Sequence, residues 1–187
     1  MMNALSFLFD REVIPPDIVK YIMIYSLDSY NKRGEYGKNG TSQMAMMFMT
    51  SWLNHFGRVK KFPIHCEYLS GSDVFIGSNS KLVDGLKRGG VVVARVMFDV
   101  WHYVLLTGCS ERHVDLFDPY YRRKPFKVPG IEMIWDKPTL RNRRVSVDYL
   151  NDTGKGIYAL GDMAVREAVV VFNLEKTKPA ETTAFPE

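Results

Sequence analysis

Three apolar runs between residues 91 and 117 restrict the fold of this chain more than any other feature. They are rich in β-branched residues and are joined only by short turns. Turns of this kind connect neighbouring strands that run in opposite directions. The sequence therefore predicts an antiparallel meander with strands at residues 91–98, 102–107 and 113–117. A fourth run of this type, at residues 167–173, is predicted to close the sheet.

A long apolar segment at residues 41–57 has the spacing of a helix. Met44, Met47, Phe48 and Trp52 recur at intervals of three or four residues, and Gly57 stands where a C-cap glycine is expected. Because this stripe is too wide to leave in water, we expect the helix to pack across the antiparallel sheet.

Two further elements come before the meander. Asn79 or Ser80 can cap a second helix, which ends at Gly89. Residues 18–25 are β-branched and aromatic and favour a strand, although a short helix after Pro16 is an alternative. Helices followed by a curled antiparallel sheet define an α+β fold.

Length and composition indicate one globular unit. A chain of 187 residues that is 46% hydrophobic can bury one sizeable core, so we expect a single domain over residues 1–174. Residues 175–187 are rich in Pro, Thr and Glu and predict a disordered tail. The net charge of +4 does not indicate a nucleic-acid binder. Cys66 and Cys109 lack metal-site or disulfide spacing, so neither a metal nor a cofactor is expected.

The sequence contains no convincing targeting or membrane segment. Its first apolar run is not preceded by a basic residue and is followed at once by Asp10, which is unlike a signal peptide. No run approaches the roughly 18 apolar residues that suggest a membrane span. We therefore expect a cytoplasmic protein that does not enter a membrane.

The segment at residues 82–128 has a recognisable order of motifs. A helix ending in Gly precedes an apolar strand, a His-Tyr-Val strand start at residues 102–104, a Gly turn and a strand ending in Asp118-Pro119. This order resembles papain-like cysteine peptidases of the bacteriocin-processing type. The loop NGTSQMAM, residues 39–46, is similar to the Cys-Gly-Pro helix start of that family, and the last strand is similar too. The resemblance covers roughly residues 18–174.

The resemblance implies a papain-like cysteine-peptidase fold, with an N-terminal helix packed on a curled antiparallel sheet. It makes His102 the general base and Asp118 the residue that orients it. We expect these two side chains to lie within hydrogen-bond reach of each other, with His102 facing the loop at residues 38–42.

The chain departs from the family at the residues that perform the chemistry. The nucleophilic Cys falls on Asn39, or on Lys38 in a second register, and neither is a plausible acyl-transfer nucleophile. The family also has an oxyanion-hole Gln about six residues earlier, where Arg33 is the nearest equivalent. The one Gln of this chain, Gln43, lies on the wrong side of that position. These losses predict a non-catalytic protein that binds a peptide or protein partner in the former active-site groove.

Three other residues remain candidate nucleophiles. Ser42 or Thr41, activated by His102 and oriented by Asp118, would complete a Ser-His-Asp type of set and make the protein a hydrolase or acyltransferase. A hydroxyl just before a long helix is more typically an N-cap. Cys66 is a third candidate, but no helix follows it to lower its pKa, so a structural thiol is favoured.

The remaining polar features also have structural explanations. His102 could hydrogen-bond a backbone group at a strand start, and Asp118 could fix a turn before Pro119. Basic clusters at residues 120–127 and 141–144 could contact nucleic acid, but nearby acidic residues dilute their charge. An acidic peptide or a carboxylate terminus suits these clusters better, so nucleic acid is disfavoured as a partner.

Overall fold

The computed structural model describes residues 1–179 and has an α+β fold, as predicted. Its described part contains one seven-stranded antiparallel sheet in the order β1-β7-β2-β3-β4-β6-β5. The strands are β1 (Ile64–Ser70), β2 (Val91–Phe98), β3 (Val100–Cys109), β4 (His113–Phe117), β5 (Ile131–Met133), β6 (Arg143–Ser146) and β7 (Glu167–Asn173). The helices are α1 (Met2–Leu8), α2 (Pro16–Tyr25), α3 (Gln43–Lys60), α4 (Lys81–Lys87) and α5 (Val147–Asn151).

The predicted meander is formed by β2, β3 and β4, each antiparallel to the next. The tight β2–β3 turn requires a left-handed residue, and Asp99 supplies it with φ 60°. The predicted strand at residues 167–173 is β7, which pairs with both β1 and β2. It therefore lies inside the sheet rather than at its edge.

The boundaries of α3 differ from the prediction at its C-terminal end. Ser42 caps the N-terminus, since its hydroxyl accepts the backbone N–H of Ala45. Gly57 does not end the helix, which continues to Lys60 and stops where Lys61 adopts φ 53°. Gly57 instead allows close packing on β1, because a Cβ there would lie 3.0 Å from the Ile64 side chain. In α4, Ser80 is the N-cap and Gly89, with φ 88°, follows the C-terminus as expected.

Most of the apolar stripe predicted to pack on the sheet lies on the wrong face of α3, and of its four residues Trp52 alone packs, partly buried, against the core beneath the helix. Met44, Met47 and Phe48 are 77%, 48% and 43% exposed. The side chains that face the sheet are Ala45, Met46, Met49, Leu53 and Phe56. The helix is apolar on more than one side, so spacing alone could not select the buried face.

Residues 18–25 form a helix, and the strand prediction for them was wrong. Pro16 occupies the first turn of α2, where its missing N–H costs no hydrogen bond. Ile18 and Ile22, four residues apart, are buried, which is the period of a helix and not of a strand. Tyr25 packs on Phe48 of α3 with ring centroids 4.4 Å apart.

The sheet carries an apolar cluster on each side. Helices α1, α2 and α3 cover one side, called here the α3 face, and they pack on residues such as Val93, Leu105 and Val169. Helices α4 and α5 and the buried Tyr158 cover the other side, called here the α4 face. Because side chains alternate along a strand, neighbouring residues of β3 face different clusters.

Within residues 1–179, no helix is long and apolar enough to cross a membrane. Part of the predicted C-terminal tail is described. The backbone N–H groups of Glu175 and Lys176 donate to Asn173, and that of Lys178 donates to Arg88. The rest of that tail prediction, residues 180–187, lies outside the described residues.

Candidate functional site

His102 and Asp118 lie together on the α4 face, at the start of β3 and just after β4. The distance from His102 Nε2 to Asp118 Oδ1 is 3.3 Å, within the reach that the sequence predicted. The ring N–H does not point at the carboxylate well enough for a hydrogen bond, and Nε2 is buried without another partner in the described residues. We therefore describe the contact as a close approach of the ring to the carboxylate. The other ring nitrogen, Nδ1, lies 3.4 Å from the carbonyl oxygen of Val100.

Asp118 is a buried carboxylate held by several donors. It is 2% exposed, and it accepts the Tyr120 backbone N–H at 2.8 Å and the Tyr158 hydroxyl at 2.7 Å. Burial opposes ionisation, but the contacts with His102, Tyr120 and Tyr158 outweigh it and lower the pKa of Asp118. The carboxylate thus fixes the turn before Tyr120 and also lies next to His102.

An open cavity of about 490 Å³ lies beside this pair. Phe98, Val100, Pro119 and Tyr120 give it mainly apolar walls, and His102 and the exposed Asp99 are the polar residues that could orient a ligand there. No Ser, Thr or Cys belongs to its lining among the described residues. The cavity can therefore accept an apolar group but offers no hydroxyl or thiol nucleophile of those types.

The hydroxyls proposed as nucleophiles are engaged elsewhere. Ser42 Oγ donates to Asp28 at 2.6 Å while it accepts the Ala45 N–H. Burial opposes ionisation of Asp28, but the hydrogen bonds from Ser42 lower its pKa, so the pair stabilises the start of α3. Thr41 Oγ1 accepts the Leu27 N–H at 3.0 Å. Both hydroxyls thus hold the loop before the helix.

The loop at residues 38–42 lies on the α3 face, away from the His102 ring. Thr41 lines a cavity together with Tyr103, which is the next residue after His102 and points to the opposite side of β3. The ring of His102 instead approaches Phe98 at 6.2 Å, and Phe98 stacks on Tyr158 of the α4 face. The expectation that His102 faces this loop was therefore wrong. Asn39 and Lys38 are exposed in the loop.

Cys66 is a buried residue of β1. It is 2% exposed, and its backbone N–H and C=O both bond to the side-chain amide of Asn54 at 2.8 Å. Burial raises the pKa of the thiol to about 12. A thiol with such a pKa stays protonated at neutral pH and is not activated for attack.

A buried polar network at the start of α3 was not anticipated from the sequence. Glu167 is 1% exposed and accepts the hydroxyls of Tyr103 at 2.7 Å and Tyr68 at 3.2 Å. Gln43 donates to the Tyr68 hydroxyl at 2.8 Å, so its amide is held in this network. Arg95 completes the network 3.7 Å from Glu167. Nothing in the sequence marks these residues as partners, because five separate elements supply them.

The two basic clusters have different environments. Arg141 and Arg144 both pair with Asp115, which offsets much of the charge at residues 141–144. Arg143 points to the α4 face and is buried, whereas Arg122 is half-buried and stacks on Phe126 at 4.3 Å. Arg122 and Arg143 line a second cavity, which touches Asp118 and Pro119. Within residues 1–179, no group of three or more His, Cys, Asp or Glu side chains could hold a metal ion.

Comparisons with known proteins do not extend this description: no protein-family model matches the chain, and a search of curated proteins found no match.

Proposed function

We propose that this protein is a non-catalytic protein of the papain-like type that binds an extended peptide segment of a partner protein. The proposed site is the cavity beside His102. One observation carries the proposal: the His102–Asp118 pair opens on an apolar cavity without a Ser, Thr or Cys in its described lining. The relative positions of the pair, at the start of one strand and the end of the next, agree with those that the family resemblance implies.

The chemistry of the imidazole supports binding over acyl transfer. Because Nε2 of His102 faces Asp118, Nδ1 is the nitrogen that would have to activate a nucleophile. The Val100 carbonyl lies 3.4 Å from that nitrogen. The hydroxyls of Ser42 and Thr41 hydrogen-bond within the loop before α3, and Cys66 is buried in β1. None of the three lines the His102 cavity, so hydrolase activity is the less favoured alternative.

The exposed apolar residues of the cavity support a binding role. Val100 and Tyr120 are 68% and 59% exposed, and both line it. Exposed apolar groups that cluster around one or two polar ones are typical of ligand sites. A peptide side chain seated there would remove this surface from water, and His102 could hydrogen-bond the peptide backbone.

The test is a peptide-binding measurement with matched variants. Peptides selected from a random display library on the purified chain would be measured by fluorescence anisotropy. Val100→Asp replaces an apolar wall of the cavity with a second carboxylate beside Asp99 and should weaken binding at least about tenfold, because burying this carboxylate under a bound peptide is costly. Val59→Asp is the control, since Val59 is 61% exposed on α3, outside the cavity.

Equal affinities of the two variants, or no selected peptide, would contradict the proposal. Fluorophosphonate and iodoacetamide probes test the alternative function on the same sample. Labelling at Ser42, Thr41 or Cys66 that disappears in His102→Ala would favour a hydrolase instead.

A further inference from the structure

Arg143 is a buried cation with no carboxylate at ion-pair distance among residues 1–179. It is 2% exposed, and its guanidinium donates to the carbonyls of Asn142 at 2.8 Å and Tyr120 at 3.3 Å. Its Nε is buried and has no hydrogen-bond partner in the described residues. Because desolvating a guanidinium is costly, buried arginines are normally paired with an anion.

Arg143 lines the second cavity described above, and the carboxylate in the lining of that cavity already has hydrogen-bond partners. Asp118 belongs to the lining of the cavity, but one of its oxygens accepts from Tyr158 and the other accepts from Tyr120 and faces His102. Its oxygens therefore have little hydrogen-bonding capacity left for Arg143. The site has a surplus of positive charge, which an anionic ligand could balance.

Arg122 adds a second cation to the same cavity. Its Nε donates to the Lys124 carbonyl at 2.7 Å and its guanidinium stacks on Phe126, so the head group is held in place. No carboxylate lies at ion-pair distance from it in the described part of the chain. The cavity itself is small, about 180 Å³, and Ile134, Trp135 and Pro138 contribute apolar walls.

We propose that this cavity binds the C-terminal residue of the peptide partner, with the α-carboxylate held by Arg122 and Arg143 and the apolar side chain against Trp135. The inference rests on the proposed peptide binding and extends that site across Pro119, which lines both cavities. A peptide whose C-terminal residue lies in this cavity could place its preceding residues in the His102 cavity, on the other side of Pro119.

A carboxylate fits this cavity better than a phosphate group does. A guanidinium recognises a planar carboxylate through two parallel hydrogen bonds, and Nε of Arg143 is a donor without a partner in the described residues. A phosphate dianion would carry more negative charge close to the Asp118 carboxylate and would suit the apolar walls less well. The apolar walls favour a terminal residue such as Leu or Phe.

The experiment compares N-acetyl tripeptides ending in Leu or Phe, each with a free carboxylate or with a terminal amide. Binding is followed by NMR through the indole N–H signal of Trp135, which is assigned by comparison with Trp135→Phe. The free acids should bind at least about tenfold more tightly than the amides, because the amide loses charge-assisted hydrogen bonds. Arg122→Gln should remove this preference. Arg112→Gln should keep it, since Arg112 is exposed outside the cavity and the same charge is lost.

Arg143→Lys keeps the charge but loses the fork of donors, and it should also reduce the preference. If this variant does not fold, the Arg122→Gln comparison still decides the matter. Equal binding of acid and amide would overturn the carboxylate inference, as would tight binding of inorganic phosphate or of a phosphopeptide that displaces the free acid. If peptides bind without shifting the Trp135 signal but are sensitive to Val100→Asp, the terminal pocket is wrong and the proposed function stands.

Discussion

At the scale of single residues, Asp118 connects the candidate site to the stability of the fold. It is a buried charge whose oxygens face three different donors, from three different positions of the chain. Such a carboxylate stabilises the folded state only while it is ionised and its donors are in place.

Asp118→Asn should therefore lower the free energy of unfolding at pH 7 by about 2–4 kcal/mol, because the charge-assisted contacts are lost. The folded-state pKa of Asp118 lies below the unfolded value of about 3.9, so its stabilisation is complete above pH 4. It disappears as the pH falls from about 4 through the folded-state pKa. Urea unfolding at a series of pH values should thus show that, below pH 4, the free energy of unfolding falls less steeply in Asp118→Asn than in the wild type.

The control for this measurement is Glu111→Gln, which removes an exposed carboxylate from the β3–β4 turn. Its stability should follow the wild-type curve. If Asp118→Asn instead runs parallel to the wild type at all pH values, the carboxylate does not have the lowered pKa described above.

Ser42 gives a second residue-scale prediction. As an N-cap that also donates to Asp28, it should be replaceable by Thr but not by Ala. Ser42→Ala should lower the free energy of unfolding by about 1–2 kcal/mol, and Ser42→Thr by much less. Chemical denaturation measures both changes. Peptide affinity should be the same in all three proteins, and a loss of affinity confined to Ser42→Ala would assign the hydroxyl a direct role in the site.

At the scale of secondary-structure elements, the free edge of the sheet at β1 is protected by a side chain. The Asn54 amide accepts the Cys66 N–H and donates to the Cys66 C=O, the two bonds that another strand would make. Exposed strand edges are sites of unwanted pairing between chains. The Asn54 side chain, from α3, thus makes the hydrogen bonds at the middle of β1 that an additional strand would otherwise make.

Asn54→Leu should leave both backbone groups of Cys66 without partners. We expect a loss of about 2–3 kcal/mol in the free energy of unfolding and an increase in self-association, since the edge can then pair with another copy. Urea unfolding and light scattering over a range of concentrations measure the two effects. Ser51→Ala, on the exposed side of α3 one turn earlier, is the control and should change neither. An Asn54→Leu protein that remains monomeric with full stability would show that the edge is protected by something else.

The elements that sequence could predict are those encoded locally. The β2–β4 meander has β-branched runs and short turns, and Ser42 and Ser80 are recognisable caps. Strand β1 was missed because its sequence IHCEYLS mixes polar and apolar residues, and it is a strand through its pairing with β7. The short strands β5 and β6 likewise depend on partners distant in sequence.

At the scale of the whole molecule, the decisive property is which side of the sheet each residue faces. Alternation along β3 puts His102 and Tyr103 on opposite faces, but the sequence does not say which face α3 will cover. Helix α3 packs on the side of Tyr103, so the histidine and the helix start are separated by the sheet. The proximity of His102 and Asp118 was predictable because His102 lies on β3 and Asp118 directly follows the adjacent strand β4, whereas their separation from Ser42 depends on long-range packing.

This separation predicts how a thiol introduced at position 39, where the sequence resemblance places a nucleophile, will behave. In Asn39→Cys, made in a Cys109→Ser background, the new thiol should have an ordinary pKa of about 8.5, because the His102 ring faces the other cluster. Its alkylation by iodoacetamide should rise with pH around that value, and Cys66 should not contribute because it is buried. Adding His102→Ala should change the alkylation rate by less than about twofold, since an imidazole that does not contact the thiol cannot promote its ionisation. Rapid alkylation below pH 7 that falls at least about tenfold with His102→Ala would mean that the histidine reaches the loop, and this result would favour the alternative hypothesis of acyl-transfer chemistry.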